Sequence, residues 1–128
     1  MSGQRAMPIL PAADVAASAA FYMDKLGFTL AGSWQDDAGD SFAIVQMGLV
    51  TLGLTRSDRS VPDSEWAAYV YVADINAFAD HAMGKGAPVK RGPEISFYKC
   101  NELEVIDPAG NVICFAQDMA PGADGPGL

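Results

Sequence analysis

The stretch MPILPAADVAASAAFYMDKLGF, residues 7–28, carries several structural signals in succession. Met7 to Ala12 is apolar but interrupted by Pro8 and Pro11. Proline cannot donate to a strand ladder, so this reads as an edge or bulged strand. Asp14 follows as an N-cap whose carboxylate can accept an orphan helix amide. Val15, Ser18, Ala19, Tyr22 and Leu26 recur at helical spacing, and Gly27 fits the left-handed position that closes a helix.

Working outward, Phe28 to Ser33 is a strand candidate and Gln35 to Asp40 a polar turn or loop. Phe42 to Gln46 and Leu49 to Thr55 form a hairpin around Met47-Gly48. In its second strand Val50, Leu52 and Leu54 alternate with Thr51, Gly53 and Thr55. Residues 56–65, RSDRSVPDSE, read as a linker. The order then repeats. Trp66 to Val72 is a strand, Asp74 opens a helix to about Lys85 that Gly86 closes, and a loop contains Gly92-Pro93. Asn101 to Ile106 and Asn111 to Gln117 pair around Asp107-Pro108-Ala109-Gly110. The third-from-last strand has the weakest signature. From Ala120 the tail has nothing to bury and reads as disordered. The expectation is an α+β fold of tandem β-α-β-β-β modules, about 7–55 and 66–118, forming a curved mixed sheet within one domain of residues 1–128.

Bulk properties narrow the partners. A chain of 128 residues, half of them hydrophobic, can bury the core of one domain. Sixteen acids against eight bases give a formal charge of −8. That balance disfavours nucleic acid and anionic membranes, which need basic patches, and permits a cationic ligand. No apolar run approaches the ~20 residues of a membrane span, and MSGQRAMPIL lacks the core of a secretion signal. A cytoplasmic location is expected. Cys100 and Cys114 read as buried free thiols rather than a disulfide framework.

The segment at 7–28 resembles the opening of glyoxalase/bleomycin-resistance superfamily proteins, with its apolar strand, Asp, apolar helix, FY and LGF. ELEVIDPAGNVICFAQD, residues 102–118, resembles their ending, a strand followed by DPxGN and another strand. SFAIVQMGLVTLGL and VPDSEWAAYVYVADINAF are similar to the metal-free bleomycin-binding members. The resemblance implies a homodimer whose cavities combine surfaces of both chains, with sheets shared between them. Pro8 matches a proline associated there with strand exchange, although proline is also a plain strand-edge device. Enzymes of the superfamily hold one divalent ion with inward His, Gln or Glu side chains. Counted from the landmarks, those positions here are Met7, Gly53, Ala67 and Cys114, an unsuitable donor set. No metal or other cofactor is expected. The single histidine, His81, falls on the outer side of the second helix.

Alternation then suggests what lines the cavity instead. Ala67, Tyr69 and Tyr71 point inward on the fifth strand, and Glu102 and Glu104 on the seventh, with Leu103 and Val105 turned to the helix. Phe42 and Ile44 face inward opposite Gly53 and Thr51. In bleomycin-binding relatives an aromatic residue eight before the DP turn helps sandwich the drug. Here that position is Lys99, beside Tyr98 and Phe97, a departure that adds a positive charge and argues against bleomycin itself as the ligand. The candidate ligand-binding residues are therefore Phe42, Tyr69, Tyr71, Tyr98, Lys99, Glu102, Glu104 and Cys114. Rings and carboxylates together suit a cationic or aromatic small molecule.

Three readings stay open. One is a binding protein that sequesters such a molecule, as the resemblance to antibiotic-resistance proteins implies. Another is a metal-independent lyase- or isomerase-type enzyme with Glu102 or Glu104 as general base, its pKa raised by burial. The third is a dimeric interaction module. Tyr69 and Tyr71 as dimer-core filling, and the glutamates as outward strand residues, are the plainer alternatives.

Overall fold

The repeated order seen in the sequence appears as two sheets of identical topology. A computed structural model describes residues 1–119, so the expectation for the tail from Ala120 lies outside the described residues. The first module contains β1 (Ile9–Ala12), α1 (Val15–Leu26), β2 (Thr29–Asp36), β3 (Gly39–Met47) and β4 (Val50–Arg56). The second contains β5 (Ala68–Tyr71), α2 (Ile75–Gly84), β6 (Val89–Ile95), β7 (Cys100–Ile106) and β8 (Val112–Asp118). Strand orders are β1-β4-β3-β2 and β5-β8-β7-β6. The first strand of each module pairs parallel to the last and the other pairs are antiparallel, so both sheets are mixed. The fold is α+β, built from tandem β-α-β-β-β modules. No helix among the described residues is long and apolar enough to cross a membrane.

The caps explain where the helices begin and end. Asp14 Oδ1 accepts the Ala17 amide at 3.0 Å, and Asp74 Oδ1 accepts the Ala77 amide at 3.1 Å. Gly27 takes φ 77°, a conformation that costs a side chain energy but glycine little. One face of each sheet packs against the helices. Val45, Leu52 and Leu54 form the core side of the first sheet, and Val70, Leu103, Val105, Ile113 and Phe115 that of the second. Between the modules, Tyr22 Oη donates to Asp107 Oδ2 at 2.8 Å, and Asn111 Nδ2 donates to Pro11 O at 2.9 Å. The Pro8 carbonyl accepts the Gly53 amide at 2.9 Å, seating β1 on β4 of its own chain.

Four sequence expectations change. Gln35 to Asp40 is largely strand, because Gln35 donates to Asp40 and Arg56 pairs with Asp36, tying down polar strand ends that pattern alone marks as loop. The following turn falls at Gly48-Leu49, with Gly48 at φ 58°. Phe42 pairs with Thr55 and Ile44 with Gly53, a shift from the expected Gly53 and Thr51 partners. The Gly92-Pro93 loop is instead the middle of edge strand β6, where both residues lie in a bulge between the Arg91–Glu104 and Glu94–Glu102 pairs. Edges and bulges are where a strand tolerates proline.

Gly92 sits at φ 95°, and a Cβ there would lie 2.1 Å from the Glu102 carbonyl oxygen. Gly92→Ala should therefore cost about 1–3 kcal/mol, read as a lower urea midpoint. A midpoint matching the parent protein would show that the bulge is not closely packed.

Candidate functional site

The side chains of interest stand on the face of the second sheet turned away from α2. Val70, Leu103, Val105, Ile113 and Phe115 fill the core side, which leaves Tyr69, Tyr71, Glu102, Glu104 and Cys114 on the other. Register brings them together, since Cys114 is the cross-strand partner of both Tyr69 and Glu104. Trp66, just before β5, lies 5.0 Å from the Tyr69 ring, and Tyr69 lies 5.2 Å from Tyr71, edge to face. Trp66, Tyr69, Tyr71, Tyr98 and Cys100 line an open pocket of about 450 Å³. Its wall is aromatic.

Behind that wall is an ionic cluster centred on Arg91. The guanidinium Nη2 is 2.8 Å from Glu102 Oε1 and 2.6 Å from Glu104 Oε2, and Nη1 is 2.7 Å from Glu94 Oε1. Arg91 Nε also donates to Glu104 Oε2 at 2.8 Å. Tyr69 Oη donates to Glu102 Oε2 at 2.8 Å, and Tyr98 Oη donates to the same oxygen. Trp66 Nε1 donates to Glu104 Oε2 at 3.3 Å. Glu102 is 1% exposed and Glu104 8%.

These contacts set the ionisation. Burial, the largest influence, pushes the Glu102 carboxyl up. Hydrogen bonds from Tyr98, Arg91 and Tyr69, with the charge of Arg91, outweigh it and hold Glu102 below the ordinary carboxylate range. The sequence expectation of a raised pKa is reversed here, because Arg91 and two phenols reach the charged form. A carboxylate held this low is a weak base. Burial, followed by the bond to Glu102, pushes the Tyr98 phenol up to about 12. Tyr69 is raised further, by burial first and then by hydrogen bonds with Cys100 and Glu102. Both phenols therefore keep their protons at neutral pH.

Not every candidate from the sequence joins this cluster. Tyr69, Tyr71 and Tyr98 line the pocket, while Glu102 and Glu104 lie beneath it. Phe42 belongs to the other sheet, where its ring covers Gly53 and lies 5.8 Å from Trp34. Lys99 is exposed in the turn before β7, at φ 65°. Cys114 is fully buried, and burial pushes its thiol pKa up, so it presents no reactive sulfur to the pocket. Cys100 lines the pocket instead, its Sγ donating to Asp118 Oδ1 at 3.0 Å. The sequence pattern does not single out Arg91, and it marks Trp66 only as the start of a strand. The available signal was the pair of inward glutamates, since buried carboxylates need a cation.

The positions that hold a metal in the resembling enzymes do not fit one here. Gly53 and Ala67 carry no donor atom, Met7 offers a thioether and Cys114 is fully buried with its thiol pKa raised. The two buried glutamates already share the Arg91 guanidinium. Among the described residues, no group of three or more His, Cys, Asp or Glu is placed to hold a metal ion.

The sequence matches the family described as "Glyoxalase superfamily protein" over residues 1–122. The chain belongs to the glyoxalase superfamily. No curated protein sequence matches it. Solved structures of similar fold include the bleomycin-binding protein from bleomycin-producing Streptomyces verticillus in complex with copper(II)-bleomycin. It is 26% identical with TM-score 0.72, covering 93% of this chain and 99% of that one. TnmS3, an antibiotic binding protein from Streptomyces sp. CB03234, is 21% identical with TM-score 0.72, covering 92% and 98%. A glyoxalase/bleomycin resistance protein/dioxygenase from Alicyclobacillus acidocaldarius is 21% identical with TM-score 0.74, covering 91% and 92%. Within this glyoxalase-superfamily chain, the aromatic pocket and its Arg91 cluster both belong to the second module.

Proposed function

We propose that this glyoxalase-superfamily chain is a non-catalytic binding protein that sequesters flat aromatic, antibiotic-like small molecules without a metal. The observation that carries the reading is the pocket's composition. Four aromatic side chains wall it, and the ionisable groups behind them are already engaged with one another. Such a surface stacks on planar ligands. Glu102, held below the ordinary range by Arg91 and two phenols, is a poor general base, and Glu104 is already engaged by Arg91 and Trp66. The names of the solved relatives, which include bleomycin-binding and antibiotic binding proteins, point the same way.

The proposed working unit is a cytoplasmic homodimer. The outer face of the first sheet leaves Ile9 and Trp34 about half exposed beside Phe42, an apolar surface suited to covering by a second copy. Light scattering should give twice the chain mass, and a value of 13.4 kDa would reject the dimer.

Calorimetric titration with planar aromatic compounds should show saturable binding that EDTA leaves unchanged. Tyr71 is 43% exposed, so Tyr71→Ala should fold normally. It should weaken binding about two- to tenfold, the value of one aromatic contact. Failure of every planar compound to saturate, or turnover of a bound compound, would refute the proposal.

A further inference from the structure

The aromatic wall carries a polarity that follows from Glu102. A carboxylate only accepts hydrogen bonds, and a phenol has one proton to give. Tyr69 and Tyr98 both give theirs to Glu102 Oε2. With its proton engaged, each phenol oxygen can serve a further partner only as an acceptor, with Cys100 beside the Tyr69 hydroxyl and Ser96 beside that of Tyr98. The charge behind the wall has the same sense. One guanidinium, Arg91, faces three carboxylates, Glu94, Glu102 and Glu104, a formal sum of −2. Asp118, bonded to Cys100, adds another acid at the pocket margin. An anion reaching for Arg91 would have to displace carboxylates already at hydrogen-bond distance.

Resting on the reading of this pocket as a binding site, we propose that it selects flat molecules carrying a protonated N–H donor, such as an amidinium, guanidinium or ring-bound ammonium. The donor is received by the Tyr69 and Tyr98 oxygens. Glu102 is a positioning residue that fixes both hydroxyl protons and does not itself touch the ligand. Lys99, exposed in the turn, takes no part.

The test uses three isosteric probes on the intact protein: naphthalene-2-carboxamidinium, naphthalene-2-carboxamide and naphthalene-2-carboxylate. At low salt the amidinium should bind at least about tenfold tighter than the carboxylate, one to two charge-assisted bonds' worth. The neutral amide should fall between. In Tyr98→Phe, which removes one acceptor and keeps the ring, the amidinium should lose more affinity than the amide, so that its advantage shrinks. In Glu102→Gln the side-chain amide can donate to the phenols and free their protons, so the carboxylate should gain on the amidinium. A purely structural role for Glu102 would instead weaken all three probes alike. Equal binding of the three, or an amidinium preference unmoved in both variants, would overturn this inference and leave the aromatic pocket standing. If no probe binds, the pocket reading falls and takes the inference with it.

Discussion

Arg91→Met should lower stability by about 3–5 kcal/mol, the usual penalty for leaving a buried charge without its partner. It should also reverse the pH dependence. Glu102 is 1% exposed, and Arg91 is the cation bonded to it and to Glu104. In the parent protein the Glu102 carboxyl lies below its ordinary value. It therefore contributes stability that is present above the unfolded-state pKa and lost as pH falls through the folded-state pKa. Without Arg91, burial acts against two neighbouring carboxylates with only tyrosine and tryptophan donors to oppose it. The carboxyl pKa then rises above the unfolded value, and protonation on acidification favours the folded state. Urea denaturation should show the variant's deficit narrowing from about pH 7 to about pH 5, where ordinary carboxylates remain charged. Adding Glu102→Gln to Arg91→Met should recover part of the loss. Parallel deficits at both pH values, or a total cost under about 1 kcal/mol, would mean that the cluster is solvated and the guanidinium dispensable.

Helix ends were legible because caps are local. Asp14, Gly27 and Asp74 act within a few residues of themselves, and all three sit where the pattern puts them. The directions of Tyr69, Tyr71, Glu102 and Glu104 were legible because strand alternation has a period of two. Charge state was not. It depends on Arg91, whose approach is set by a bulge at Gly92-Pro93 in a strand that composition alone marks as a loop. Alternation also says which face of its own strand a residue takes, not which sheet that face will meet. Alternation alone groups Phe42 with the tyrosines for that reason, yet within the chain it stands on the first sheet, away from them. The strand pattern runs from Trp66, but β5 begins at Ala68, so the Trp66 ring meets Tyr69 from the segment before the strand.

The DPAGN turn makes the second large prediction, because its aspartate both shapes a loop and joins the modules. Asp107 Oδ1 accepts the amides of Ala109 and Asn111, each at 2.9 Å. Its Oδ2 accepts Tyr22 Oη at 2.8 Å and Asn111 Nδ2 at 2.9 Å, the first from α1 in the other module. Asp107 is 4% exposed, and Tyr22 and Asn111 are fully buried. Asp107→Ala would strand several buried donors at once, at about 1–3 kcal/mol for each that water cannot reach. A loss of about 3–5 kcal/mol is expected. For a chain of this size that corresponds to a fall in Tm of about 10–20 °C. Tyr22→Phe keeps the ring packed against Phe21 and Phe28 and leaves Asp107 three other donors, so it should cost only about 1–2 kcal/mol. The order of the two variants is the discriminating result. If Tyr22→Phe costs as much as Asp107→Ala, the inter-module bond dominates and the turn's own amides contribute little. If Asp107→Ala is nearly neutral, water reaches the turn and the joint between modules is held by apolar packing and by the Asn111 bond to the Pro11 carbonyl. With the expected order, the carboxylate contributes mainly by satisfying its own turn, and the bond to Tyr22 fixes where that turn docks against α1.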